Sequence, residues 1–147
     1  MRTAAHVLAS STAAGAAYAL TGSAAMTASC LLSGIFLDVD HLLDFWLLSG
    51  EKFTPGGFLS WCHELRWKKI YLLLHSYELF LLLSLSAWLF PGRAIEGALL
   101  GMGLHLLMDQ AGNRGLSRWF YFMTFRWLSG FSRGALAAGE GGRGCKS

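Results

Sequence analysis

Apolar and polar positions in this chain come in long blocks rather than alternating residue by residue. Residues 3–37, TAAHVLASSTAAGAAYALTGSAAMTASCLLSGIFL, contain no Asp, Glu, Lys or Arg. One helix of that length would run about 50 Å, well beyond the roughly 30 Å hydrocarbon core of a bilayer. TGS at 21–23 supplies a turn, so the pattern predicts two helices, near 4–20 and 24–37. Their Gly, Ala and Ser content lets backbones approach closely. A polar centre follows at 38–69, with the acidic FLDVDHLLDF (36–45), a TPGG turn (54–57) and the basic HELRWKK (63–69). Residues 70–90, IYLLLHSYELFLLLSLSAWLF, read as a third apolar helix, and PGR at 91–93 as a turn. Residues 94–111, AIEGALLGMGLHLLMDQA, read as a fourth, with Gly97 and Gly101 on a small-residue face.

Composition turns this pattern into an architecture. The 147 residues suffice for one domain, 54% of them hydrophobic and only 14% charged, where globular domains carry about 25% charged residues. The expected fold is all-α: a polytopic membrane helical bundle of four spans over residues 1–131. LSRWFYFMTFRWLSGF at 116–131, aromatic and broken by Arg118 and Arg126, suits an interfacial segment at its C-terminal end. The Gly-rich stretch 132–147 reads as a disordered tail. Met1–Leu20 is Ala/Ser-rich rather than Leu-rich and reads as retained sequence, not a cleaved signal peptide.

Charge placement adds an orientation. Arg2, the 38–69 segment (Lys52, Arg66, Lys68, Lys69) and the C-terminal stretch (Arg114, Arg118, Arg126, Arg133) share one side of a four-span bundle, against a lone Arg93 on the other. The positive-inside rule then puts both termini in the cytoplasm of an integral membrane protein. A net charge of only +3 argues against a nucleic-acid partner and leaves membrane lipid as the expected one. Trp61, Trp67, Trp119 and Trp127 are the expected interface anchors. Three cysteines make no disulfide framework, and Cys62 beside His63 reads as structural.

The ionisable residues carry the chemistry. In the expected topology His6 lies at the start of the first helix, and Asp38, Asp40 and His41 at the end of the second. His75 falls one to two turns into the third, with His105 and Asp109 in the last turns of the fourth. Any one of them has a bland explanation as a helix-end or hydrogen-bonded polar residue. Together, four elements far apart in sequence deliver His and Asp to one level, and intramembrane ionisable residues usually mark function. His105 and Asp109 are four apart and reach one side of a helix, as do His75 and Glu78, three apart. Mixed His/Asp donors suit zinc first, then manganese or iron. Several carboxylates with several histidines could also hold two ions.

His6, LDVDH at 37–41, LHSYE at 74–78 and LHLLMDQ at 104–110 together resemble the bacterial and archaeal membrane-bound metal-dependent hydrolases. DQAGN (109–113) and YFMTFR (121–126) are similar to a subgroup of them. Leu37 stands where the family has proline, and the block before LHSYE lacks the family's upstream histidine. The resemblance implies a divalent metal held by residues drawn from His6, Asp38, Asp40, His41, His75, His105 and Asp109. It also implies hydrolysis of an ester or phosphoester by a metal-activated water. Asp38 or Asp40 would be the base, Glu78 a partner of a ligating histidine, and Arg126 a phosphate holder. A site at the lipid–water boundary points to an amphiphilic, lipid-like substrate. The alternatives are a non-catalytic metal-binding scaffold, or a transport or proton-relay protein.

Overall fold

The computed structural model describes residues 3–63, 68–113 and 115–137, without the side chains of Thr3, Cys62 and His63. The expectations placed on Arg2, Arg66, Trp67, Arg114 and the tail from residue 138, and on the Cys62 and His63 side chains, lie outside the described residues. The described part is all-α. Its longer helices are α1 (Thr3–Thr21), α2 (Ala24–Phe36), α3 (Val39–Leu48), α4 (Pro55–His63), α5 (Tyr77–Leu89) and α6 (Arg93–Gly112). Two short ones follow, α7 (Met123–Leu128) and α8 (Arg133–Leu136).

Local chemistry sets the boundaries. Gly22, at φ +63, turns α1 into α2, a conformation that suits glycine. Ser23 then caps α2 by accepting from the Met26 N–H. Across this hairpin Ser10 of α1 meets Gly34 of α2. Helices α2 and α6 make the closest contact. A Cβ on Gly97 would lie 2.1 Å from the Met26 carbonyl oxygen, and one on Gly101 would lie 2.2 Å from that of Cys30. One turn further, the ring of His105 reaches the Gly34 carbonyl oxygen. The pairs Met26–Gly97, Cys30–Gly101 and Gly34–His105 advance together, so the two helices run parallel. The start of α1 and the ends of α2 and α6 therefore lie at one end of the molecule.

The apolar core sits at that same end. Phe45, Trp61, Ile70, Leu72, Met102, Leu106, Phe120, Tyr121 and Leu136 fill it, with Trp61 and Phe58 edge-on to Phe45. Trp61 is thus a core residue rather than an interface anchor, while Trp119 and Trp127 are exposed.

Three expectations fail here. Among the described residues no helix is long and apolar enough to cross a membrane. The four-span membrane bundle, the integral-membrane localisation and the cytoplasmic orientation of the termini are therefore withdrawn. The lengths explain part of this: α2 and α5 have 13 residues each, about 20 Å of helix against a core of roughly 30 Å. Helices α1 and α6 are long enough but too polar. The first is alanine-rich and broken by His6, two Ser and three Thr, and the second contains Arg93, Glu96, His105, Asp109 and Gln110.

The second failure concerns residues 70–76, which are not helical. Carboxylates of α3 capture their backbone instead. Asp44 accepts from the Tyr71 N–H at 2.9 Å, and Asp40 accepts from the N–H groups of Leu74 and His75. Helix α5 begins only where Ser76 caps it by accepting from the Leu79 N–H. His75 consequently stands in a loop before the helix and not on one side of it with Glu78.

The third failure is the interfacial segment. Residues 116–131 fold back onto 68–78: the Ile70 N–H donates to Phe131 O and the Tyr77 N–H to Tyr121 O, both at 2.9 Å. Phe120 and Tyr121 are buried there, held by core packing.

Candidate metal centre

Five pieces of chain meet at the common end. They are the first turns of α1 (His6), the α2–α3 junction (Asp38), the first turn of α3 (Asp40, His41), the loop before α5 (His75) and the last turns of α6 (His105, Asp109). His75 Nε2 lies 3.1 Å from His105 Nε2. Asp109 Oδ2 lies 3.6 Å from each of these nitrogens. Asp38 Oδ1 lies 3.7 Å from His75 Nε2 and 3.5 Å from His105 Nε2.

Hydrogen bonds on the far side of each ring set these orientations. His75 Nδ1 is 3.2 Å from Asp40 Oδ2, and His105 Nδ1 is 2.7 Å from the carbonyl oxygen of Gly34. A carboxylate and a carbonyl only accept, so each ring, when neutral, holds its proton on Nδ1 and turns a bare Nε2 toward the other. An oxygen of Asp38 and an oxygen of Asp109 thus each lie within 3.7 Å of both imidazole lone pairs.

The remaining candidates surround these four. His6 Nε2 approaches Asp109 Oδ1 at 3.0 Å, and its ring stacks on His105 at a centroid distance of 4.0 Å. His41 Nε2 is 3.7 Å from Asp38 Oδ1. Asp38 and His41 have side chains 21% and 29% exposed, against 0% for His75 and His105, so the centre opens on their side. Asp40 lies behind His75, its Oδ2 committed to the His75 ring and to backbone N–H groups.

Glu78 and Arg126 lie away from the four converging atoms. Glu78 accepts from the Met123 N–H at 2.8 Å and from the Thr124 N–H and hydroxyl at 2.9 and 2.8 Å. Those bonds hold the start of α7. Arg126 is fully buried and donates from Nη2 to the His75 carbonyl oxygen at 2.9 Å. Gly34, which acts through its carbonyl, is a participant that residue type does not reveal. The small-residue register of α2 and α6 is the signal that could have located it.

The electrostatics follow from crowding buried acids and bases together. Burial pushes the Asp38 carboxyl up, but the imidazoles of His105 and His75 facing it outweigh this and hold Asp38 well below the ordinary carboxylate range. Asp109 is lowered likewise: burial raises it, and the His6 contact with the charges of His75 and His105 more than offsets that. Burial alone would lower His75, but the neighbouring carboxylates of Asp38 and Asp40 raise it above an ordinary histidine. The centre thus favours positive charge. His41 is pushed down to about 4, by burial first and the neighbouring His75 second.

The donor set fits a divalent ion. A tetrahedral zinc site with bonds of about 2.0–2.1 Å places its donors about 3.3 Å apart, and the separations that involve the two imidazole nitrogens run from 3.1 to 3.7 Å. Asp40 and Gly34 supply the outer hydrogen bonds that ligating histidines usually make. Comparison with protein-family models, curated proteins and solved structures finds no match for this chain, so the reading of the centre rests on its geometry.

Proposed function

We propose that the chain is a metal-dependent hydrolase acting on an ester or phosphoester. His75, His105 and Asp109 hold one divalent cation, zinc first and manganese or iron next. Asp38, at the open side, serves as the base. One observation carries the reading: four electron-pair donors converge with both ring protons turned away, an arrangement that invites a cation. Catalytic zinc sites use three protein donors and keep a position open. An ion held there would polarise a substrate oxygen and acidify a bound water. Asp38 is the partly exposed member of the four; with the His75 and His105 nitrogens engaged on an ion, the contacts that hold its carboxyl low would be released and Oδ1 would be left to accept a proton from the water.

A second reading is favoured by the same closeness. If Asp38 also ligates, the centre is a closed four-donor site and the protein binds metal without catalysis.

The test is metal analysis of the purified protein beside His105→Ala and Asp109→Ala, followed by a screen of ester and phosphoester substrates. About one ion per chain in the wild type and little in either variant is expected. Equal content in all three ends the proposal. Metal without turnover across the screen favours the closed site.

A further inference from the structure

We propose that α7 is a clasp that sets the metal ligand His75, with Arg126 and Glu78 as its positioning residues. The inference rests on the metal reading of the centre and adds two residues that touch none of its four donor atoms.

Arg126 is costly to place where it stands. Its guanidinium is fully buried, yet Nε and Nη1 have no hydrogen-bond partner. Its Nη2 donates to the His75 carbonyl oxygen. Burying a charged group so incompletely bonded is unfavourable, and an apolar residue of similar size would ordinarily fill such a place better. Part of the cost is offset by Phe120, whose ring centroid lies 5.5 Å from the guanidinium carbon. The charges of Asp40, Glu78 and Asp44 also oppose the loss of positive charge that burial favours. What the placement achieves is local: it fixes the peptide of a residue standing outside any helix.

His75 needs that fixing. Its loop contains Leu72 at φ +42, a conformation that bulky residues adopt only when their surroundings impose it. Asp40 and Asp44 hold the loop's N–H groups from the α3 side. Arg126 holds its carbonyl at His75 from the α7 side, so the ligand is gripped between two elements.

Glu78 anchors the second grip. It follows His75 by one turn of chain and accepts three bonds from Met123 and Thr124 at the start of α7. A fourth comes from Ser76 Oγ at 2.8 Å. The chain therefore loops from His75 through Glu78 to α7 and returns through Arg126 to His75.

The probe is Co²⁺, titrated into metal-free full-length wild type, Arg126→Met, Glu78→Gln and Thr124→Val, with the visible spectrum reporting ligand geometry. Arg126→Met and Glu78→Gln should bind about 10–100-fold more weakly, the usual effect of losing an outer partner of a ligand. They should also show an altered cobalt spectrum at an unfolding temperature, measured without metal, close to wild type. Thr124→Val removes one of the three α7 bonds and should give a smaller effect in the same direction. If Arg126→Met does not fold, Glu78→Gln and Thr124→Val decide. Wild-type affinity and spectrum in the folded variants overturn the clasp and leave the metal centre standing. Failure of the wild type itself to bind cobalt overturns both.

Discussion

His75 Nε2 and His105 Nε2 face each other at 3.1 Å, and in the neutral rings the proton of each sits on Nδ1, bonded to Asp40 and to the Gly34 carbonyl. Two lone pairs at that distance repel unless a cation or a proton lies between them. The metal-free protein should therefore be less stable than the loaded one. At a free metal concentration a hundred times the dissociation constant the gain is about 2.7 kcal/mol, roughly 5–10 °C in melting temperature for a chain of this size. Thermal scans with chelator and with zinc measure it. His105→Ala should lose the response; a variant that keeps the full shift would place the ion elsewhere.

Asp38 and Asp40, two residues apart, should fail in different ways. Asp40 bonds the rear of the His75 ring, so Asp40→Asn should weaken metal binding about 10–100-fold. Asp38 faces the opening, and under the hydrolase reading Asp38→Asn should retain most of the metal and lose turnover by about 10²–10⁴-fold. Metal affinity and kcat, measured on both variants, separate the roles. A large loss of metal in Asp38→Asn would support the closed four-donor site.

Much of the bundle was legible because its determinants are local. The uncharged run 3–37, the turn at Gly22 and the apolar block after Arg93 place α1, α2 and α6 near their observed bounds. The small-residue face at Gly97 and Gly101 does lie on α2. The loop carrying His75 was not legible, because bonds from Asp40 and Asp44 cross 27 to 35 positions of sequence to form it. A string of Leu residues from 72 to 83 invites a single helix, and nothing local marks the captured N–H groups. The roles of Arg126 and Glu78 were hidden for the same reason. Both act on backbone groups, and residue type is silent about those. Counting apolar residues overstated the spans, since the captured loop shortens α5 to 13 residues.

The α2–α6 contact also sets the position of His105, one turn beyond Gly101. Gly101→Ala would put a methyl 2.2 Å from the Cys30 carbonyl oxygen and from Ser33 Oγ. The helices must separate, at a cost of about 1–3 kcal/mol or more, and the His105–Gly34 bond should lengthen with them. Lower stability and weaker metal binding are both expected. Gly15→Ala is the control, because its added Cβ meets nothing within 4 Å and should gain up to about 1 kcal/mol from helix propensity. Urea unfolding of the pair reads the contrast; equal effects would mean that close packing is not what holds α6 in place.

Asp44 gives the pH dependence a definite sign. It is almost fully buried, and burial pushes its carboxyl from the ordinary 3.8 up to about 6, against the pull of its bonds to Tyr71 and Leu72. Because the folded value is raised, the stability linked to this group is fully present below about pH 4. It is lost as the pH rises through about 6. At about 1.4 kcal/mol per pKa unit the loss is about 3 kcal/mol at most. Asp44→Asn keeps an oxygen to accept from the Tyr71 N–H and removes the buried charge. In chelator, the variant should match wild type near pH 4 and exceed it by about 2–3 kcal/mol near pH 7. Urea unfolding at the two pH values measures the difference. A variant less stable than wild type at pH 7 would mean that the Asp44 carboxylate is worth more to the Tyr71–His75 loop than its burial costs.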